Sequence, residues 1–196
     1  MLNITESISA IPHALMRTAP HGAAQRPHAA GLLSLATAVP PHRISQVEAA
    51  ETMHHIFADI FANSATMSGV FASTGIRHRY AARPLDWYLR PLGWPERTEV
   101  YAEEGTRLFI EVANKALDAA GVTPGEVDAV VFVSSSGIAT PSLDAVVHKQ
   151  MGFRADIERV PVFGLGCAGG VTGLAVASRI AEAQPGFTVL MVTVEL

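Results

Sequence analysis

The sequence places its single cysteine, Cys167, in the stretch "VFGLGCAGGVTGL" (162–174). An apolar, strand-like run ends just before this residue and a helical pattern begins just after it. At a helix N-terminus, unpaired backbone N–H groups and the helix dipole favour a thiolate over a thiol, so a cysteine there is a candidate nucleophile. The alternative is a packing role, because free cysteine is among the most buried residue types.

Glycines crowd this cysteine on both sides. In the first turns of a helix each glycine costs about 1 kcal/mol relative to alanine. A helix tolerates that cost where another backbone or a ligand must come close. The backbone N–H of Cys167 and that of a neighbour could then form an oxyanion hole for an acyl thioester. The spacing therefore favours a nucleophile. The glycines concerned are Gly164, Gly166, Gly169, Gly170 and Gly173.

The composition excludes several classes of function for this chain. The chain has 196 residues, of which 49% are hydrophobic, which suffices for a core of its own. A net charge of −4 gives no reason to expect binding to nucleic acid or to a membrane surface. One cysteine excludes an internal disulfide and any multi-cysteine metal site, and we predict no metal. With no long apolar run and no signal-peptide pattern, we expect a cytoplasmic protein.

The pattern along the chain predicts an α/β fold. Residues 1–30 are rich in Ala, Pro and His, which predicts a mobile leader before a domain over 31–196. The continuous apolar run of "VDAVVFVSSSG" (127–137) is typical of a strand buried on both faces, in a sheet covered by helices. Strands are also predicted at 31–40, 158–166 and 187–196, and helices at 45–64, 64–73, 98–120, 142–151 and 167–183. Ser45 with Glu48 predicts a capping box, and 75–98 is expected to be a structured loop.

Four separated blocks resemble one family. They are "STGIRHRYAARPLDWY", "SSSGIATPSLDA", "GLGCAGGVTGL" and "VLMVTVEL", in that order. Together they resemble the type III polyketide synthases, the chalcone and stilbene synthase-like family, especially its bacterial members. The resemblance covers about residues 31–196. It implies a thiolase-like fold of layered αβαβα, with a mixed sheet between helices, of which this chain would be the N-terminal half.

The resemblance also implies the chemistry. Cys167 falls on the family's catalytic cysteine, which takes an acyl group from a coenzyme A starter. Malonyl-CoA is then decarboxylated, and the carbanion attacks the acyl thioester in a Claisen condensation. Coenzyme A thioesters are substrates here, and no cofactor is expected.

Other positions receive expected roles from the same resemblance. Ser135 and Ser136 fall on the starter pocket, and Thr140 falls on a residue that reaches the partner subunit's cavity. The family's basic coenzyme A-binding segment is here "TMSGVFAST", without Lys or Arg, so Arg77, Arg79 or Arg83 are the candidates instead. Arg77 and Arg79 could equally form a solvated or ion-paired strand edge. Glu195 falls on a buried acidic position.

The resemblance places the catalytic His and Asn in the second half of the fold. The chain has no His after His148. We therefore expect the isolated chain to be inactive in condensation, and to form a homodimer or to associate with a C-terminal half.

Three other interpretations stay open. "TGIRHRY" is also similar to β-ketoacyl-carrier-protein synthase III, which would load from a carrier protein. A Cys–His hydrolase would need His148 beside Cys167. A non-catalytic remnant would only dimerise with an intact synthase.

Overall fold

The computed structural model describes residues 29–58 and 65–196. The predicted leader therefore lies almost wholly outside the described residues. The helices are α1 (Gln46–Ile56), α2 (Ala65–Ser73), α3 (Leu85–Tyr88), α4 (Trp94–Ala120), α5 (Leu143–Met151) and α6 (Gly169–Ala183). The strands are β1 (His42–Ser45), β2 (His78–Ala81), β3 (Ala129–Ser134), β4 (Glu158–Phe163) and β5 (Val189–Thr193).

β3 is the centre of a three-stranded parallel sheet with the order β4-β3-β5. All six of its residues are buried, which confirms the prediction of a strand covered on both faces. The register pairs Ala129 with both Glu158 and Val189. Because the three strands are parallel, their carboxyl ends meet at one edge of the sheet.

Helices cover both faces of this sheet. α4 and α5 cover one face, where Val130 and Phe132 of β3 join the main core. α6 covers the other face, where Val131 and Val133 pack with Ala177. The alternation along β3 is the period of two expected of a strand. The long helix α4 begins four residues earlier than predicted, and it ends at Gly121 in the left-handed conformation.

A separate two-stranded antiparallel sheet lies earlier in the chain, and α1 and α2 lie between its strands in sequence. β1 pairs with β2, His42 opposite Ala81. α1 follows β1 directly, and the predicted capping box is confirmed: Ser45 Oγ accepts from the Glu48 N–H at 3.1 Å, and the Glu48 carboxylate accepts from the Ser45 N–H at 2.8 Å. The prediction of a loop over 75–98 was wrong, because β2, α3 and the first turn of α4 lie in it. Four-residue elements with mixed polar side chains leave no periodicity to detect.

The predicted strand at 31–40 is not a strand in the structure. Its leucines Leu32, Leu33 and Leu35 are exposed, although Ser34 Oγ donates to the Ala116 carbonyl of α4 at 2.7 Å. A cavity of about 710 Å³ is lined by residues 30–40, β5, and faces of α4 and α6. A strand must lie about 4.8 Å from its neighbour to form ladder hydrogen bonds. An apolar run therefore did not suffice without a sheet edge at that distance.

Candidate active site

Cys167 lies in a tight turn between β4 and α6. We call residues 164–168 the nucleophile turn. Gly164 has φ +82° and Gly166 has φ +52°, both in the left-handed region that favours glycine. Gly166–Ala168 form a short 3-10 turn, and α6 begins at Gly169. Cys167 is exposed and unbridged, so the packing alternative does not describe its position here.

Two of the glycines permit the close approach of another element, which is one of the two alternatives that the sequence left open. A Cβ on Gly169 would lie 2.8 Å from Val133 Cγ1, and one on Gly173 would lie 2.5 Å from Val133 Cγ2. These two glycines therefore let α6 approach β3 closely. A Cβ on Gly170 would meet nothing within 4 Å. Helix–sheet packing and turn geometry thus account for four of the five glycines.

A run of three serines follows the carboxyl end of β3. Each serine hydroxyl accepts a hydrogen bond from a different donor: Ser134 from the Tyr101 hydroxyl at 2.8 Å, Ser135 from the Gly166 N–H at 3.1 Å, and Ser136 from the Leu196 N–H at 2.9 Å. The sequence predicted a site here from a resemblance alone. The structure adds that Ser135 contacts the nucleophile turn.

Glu195 lies just beyond the carboxyl end of β5. Its carboxylate accepts a hydrogen bond from the Ser135 backbone N–H at 2.9 Å. The residue is exposed, which differs from the buried position that the resemblance implied. Glu195, Ser135 and Cys167 thus follow β5, β3 and β4 respectively, at the carboxyl edge where sites in parallel sheets are commonly found.

Tyr101 of α4 is a residue of this region that sequence reasoning missed. Burial raises the pKa of Tyr101, the hydrogen bond with Ser134 lowers it, and the nearby charge of Glu195 raises it again. Its ring also lies against the loop after β3, since a Cβ on Gly137 would fall 2.2 Å from Tyr101 Cγ. The available signal was its spacing of seven residues from the apolar Leu108, which places both on one helix face.

The remaining predicted pocket residue, Thr140, is exposed. It lies in the loop between β3 and α5, and Ile138 in the same loop is 58% exposed.

Two of the candidate coenzyme A-binding residues lie directly before β2 and within it. Arg77 and Arg79 are both exposed. Arg79 Nε donates to Gln46 Oε1 at 2.9 Å, and its guanidinium lies 5.8 Å from the centre of the Phe71 ring. These contacts join β2 to α1 and α2. They agree with the alternative in which Arg79 belongs to a strand edge that is bonded to its neighbours. A third arginine, Arg83, forms ion pairs with Glu103 and Glu104 of α4.

His148 lies near the end of α5 that is remote from the carboxyl edge of the parallel sheet. α5 starts after the carboxyl end of β3 and runs back toward the amino end of β4, and His148 is in its last turn. Its ring lies 6.2 Å from the ring of Phe153, centre to centre. This placement removes the support for a Cys167–His148 pair.

Within residues 29–58 and 65–196, no three or more His, Cys, Asp or Glu side chains are grouped so that they could hold a metal ion. In the same part of the chain, no helix combines the length and apolar character needed to cross a membrane.

Comparisons with known proteins agree with this architecture. The family model of chalcone and stilbene synthases, N-terminal domain, matches residues 90–196. A 1,3,6,8-tetrahydroxynaphthalene synthase from Streptomyces peucetius subsp. caesius is 38% identical over 160 residues, which are 82% of this chain and 42% of that protein. A putative chalcone synthase from Bacillus subtilis is 31% identical over 170 residues, 84% of this chain and 47% of that protein.

Solved structures give the same result for the fold. The crystal structure of 1,3,6,8-tetrahydroxynaphthalene synthase from Streptomyces coelicolor A3(2), a bacterial type III polyketide synthase, superimposes with a TM-score of 0.73 at 27% identity. The match covers 83% of this chain and 47% of that one. The chain thus spans about half the length of the relatives it matches. The thiolase-like α/β fold predicted for an N-terminal half is confirmed, and the chain belongs to the chalcone and stilbene synthase family of type III polyketide synthases.

Proposed function

We propose that Cys167 accepts an acyl group from a coenzyme A thioester. The Cys167 thiolate attacks the thioester carbonyl, the bond from that carbon to the coenzyme A sulfur breaks, and coenzyme A leaves and takes up a proton. The observation that carries this proposal is the exposed thiol next to the start of α6, at the edge where three parallel strands end. Because coenzyme A thioesters are the proposed substrates, we propose a cytoplasmic location.

Loading can be tested on the intact chain by mass spectrometry. Incubation with an acyl-CoA should add one acyl group, and C167A should remain unmodified because it has no thiol. A C167A chain that is acylated equally would contradict the proposal. Loading from an acyl carrier protein in place of acyl-CoA would instead support the activity of a carrier-protein synthase.

The second step is the condensation. Malonyl-CoA loses CO₂, and the carbanion left on the acetyl unit attacks the acyl-Cys167 carbonyl. A carbon–carbon bond forms, the Cys167 thiolate is released, and a β-ketoacyl-CoA results. The resemblance assigns the decarboxylation to a His and an Asn of the second half of the fold. We therefore propose that this chain supplies the nucleophile and requires a C-terminal half.

Product analysis tests this requirement. The 196-residue chain with acyl-CoA and malonyl-CoA should release CO₂ at the background rate, and added C-terminal half of a family member should restore condensation. Steady polyketide formation by the chain alone would contradict the requirement, whereas acyl-Cys167 without condensation agrees with it.

Starter choice is proposed to depend on Ser135, Ser136 and Thr140. Small hydroxylated side chains at these positions leave room for a bulky or long acyl group. Bulky replacements at Ser136 and Thr140 should shift loading toward short acyl-CoAs, and unchanged preference would contradict this role. For the coenzyme A phosphates we propose Arg77 and Arg79, whose exposed guanidinium groups can pair with anions.

Association is the second candidate function, and a specific surface favours it. Exposed apolar side chains lie at the end of β4, in the nucleophile turn and in the first turns of α6: Phe163, Leu165, Val171 and Leu174. An apolar surface of this kind marks an interaction site. We propose that it takes part in a homodimer or in contact with a C-terminal half, and a purely associating protein would use it without loading. Size-exclusion chromatography should show a species larger than the monomer, and a monomer at all concentrations would contradict association with itself.

A further inference from the structure

The nucleophile turn is connected to the other two strand ends through a single residue, Ser135. Its hydroxyl accepts from the Gly166 N–H at 3.1 Å, and its own N–H donates to the Glu195 carboxylate at 2.9 Å. Gly166 is the residue directly before Cys167. The two hydrogen bonds therefore connect the end of β5, through the end of β3, to the turn after β4.

The nucleophile turn needs such a contact because its own backbone is permissive. Gly164 and Gly166 both have positive φ, and glycine populates many other conformations at little cost. Two local backbone bonds hold the turn, from the Ala168 N–H to the Leu165 carbonyl at 3.2 Å and from the Gly169 N–H to the Gly166 carbonyl. Near a helix start, the first N–H groups have no partner within the helix. Ser135 supplies an acceptor for one of these groups.

We propose that Ser135 is a positioning residue for Cys167, and that Glu195 in turn positions Ser135. The Ser135 hydroxyl holds the Gly166 peptide in the orientation that places the thiol against the start of α6. The Glu195 carboxylate holds the Ser135 peptide so that the hydroxyl faces Gly166. This role goes beyond lining a starter pocket.

The proposal has a consequence for the oxyanion hole. The Gly166 N–H is occupied by Ser135, so it cannot also donate to an acyl oxygen. A backbone donor that this turn offers to that oxygen must then come from Cys167 or from a residue after it. The Gly166 N–H thus serves to fix the turn, and the N–H groups that follow it stay available to bind the acyl oxygen.

The neighbouring serine gives a matched control. Ser134 is the same residue type, one position earlier, and its hydroxyl accepts from Tyr101 and not from the turn. Loss of the Ser134 hydroxyl leaves a buried donor unpaired, so S134A should destabilise the fold at least as much as S135A. General loosening and loss of positioning are therefore separable.

The test measures the reactivity of the thiol. Cys167 is the chain's only cysteine, so alkylation by iodoacetamide reports on this residue alone. The rate constant is measured for the full chain at one fixed pH, without acyl-CoA. S135A should react about 3- to 10-fold more slowly, because the glycines of the turn then adopt other conformations in which the thiol is less well presented to the reagent.

Four further variants sharpen the result. S135T retains the hydroxyl and should return the rate to within about twofold of the parent chain. S134A should leave the rate within about twofold of that of the parent chain, because its hydroxyl does not contact the turn. E195A should slow the reaction, whereas E195Q should not, because an amide oxygen still accepts from the Ser135 N–H.

Two results would overturn the proposal: an unchanged alkylation rate in S135A, or an equal loss of rate in S134A and S135A. If S135A does not fold, as judged by thermal unfolding, the contrast between E195A and E195Q decides the question at the other end of the chain of bonds. The proposal rests on the proposed role of Cys167 as nucleophile. Because alkylation uses no acyl-CoA, its outcome is independent of whether loading occurs.

Discussion

One face of the sheet and the unpaired edge of β5 differ sharply. The face is covered by a packed layer, formed by α4 and α5 against β3 and β5, in which Phe109, Leu143 and Val147 are almost fully buried. The unpaired edge of β5 borders a cavity and the segment 30–40, and we call this region the open edge. There Leu32 and Leu35 are 77% and 81% exposed. Similar apolar side chains therefore contribute very differently to stability, according to whether a neighbouring element covers them.

The largest expected effect is a contrast between these two regions. F109A removes a fully buried ring that also lies 5.6 Å from the Phe132 ring, and should cost about 3–5 kcal/mol of unfolding free energy. L35S removes an exposed side chain and should change it by less than about 0.5 kcal/mol. Urea unfolding of both variants measures this. A cost above about 1.5 kcal/mol for L35S would mean that the open edge is packed in solution.

The contact between α6 and the sheet gives the next effect. G173A would place a methyl group 2.5 Å from Val133 Cγ2 and 2.9 Å from Met191 Cε, so it should destabilise by about 1–3 kcal/mol. The control is G170A in the same helix, where a methyl group meets nothing within 4 Å. It should be neutral, or stabilising by up to about 1 kcal/mol, since alanine is the better helix former. Equal destabilisation by both variants would show that α6 is not closely packed on β3.

The smallest effect appears only in alkaline solution. Burial raises the folded-state pKa of Tyr101, so the phenol ionises more readily in the unfolded chain. The stabilisation is therefore complete below the unfolded pKa of about 10 and is lost as pH rises through the raised folded value. Y101F should show a shallower loss of stability above pH 10, because it has no phenol to ionise. Y80F, at an exposed tyrosine, should behave as the parent chain, and identical alkaline curves for Y101F and the parent would refute the assignment.

The sequence predicted much of the packed layer and little of the open edge. The apolar run at β3 and the helical spacing of α4 are local patterns, and both were confirmed. The run at 31–40 has the same local character, but a strand also requires an edge at bonding distance, which sequence periodicity does not contain. The strands β1 and β2 were not predicted, because four residues are too few to show the alternation of a strand.

Prediction of the candidate site was divided in the same way. The position of Cys167 between a strand and a helix follows from adjacent residues, so the sequence sufficed. The contacts of Ser135 with Gly166 and Glu195 join residues 31 and 60 positions apart, and only the fold brings them together. The sequence left open whether another backbone or a ligand approaches the glycines near the thiol, because the neighbour of Gly169 and Gly173, Val133, lies on another element.

The amino edge of the parallel sheet lies opposite the carboxyl edge that carries Cys167, and we call these two edges the poles of the sheet. At the amino pole the Asp128 carboxylate accepts from the Thr188 N–H at 2.8 Å and from Arg154 at 3.0 Å, and the Asp128 carbonyl accepts from the Glu158 N–H at 3.0 Å. β3 spans six residues, or about 20 Å, between this pole and the serines. Substitutions that far apart should have additive effects on free energy. The amino pole can therefore be reinforced to raise the stability of the scaffold while the chemistry at the opposite pole is varied independently.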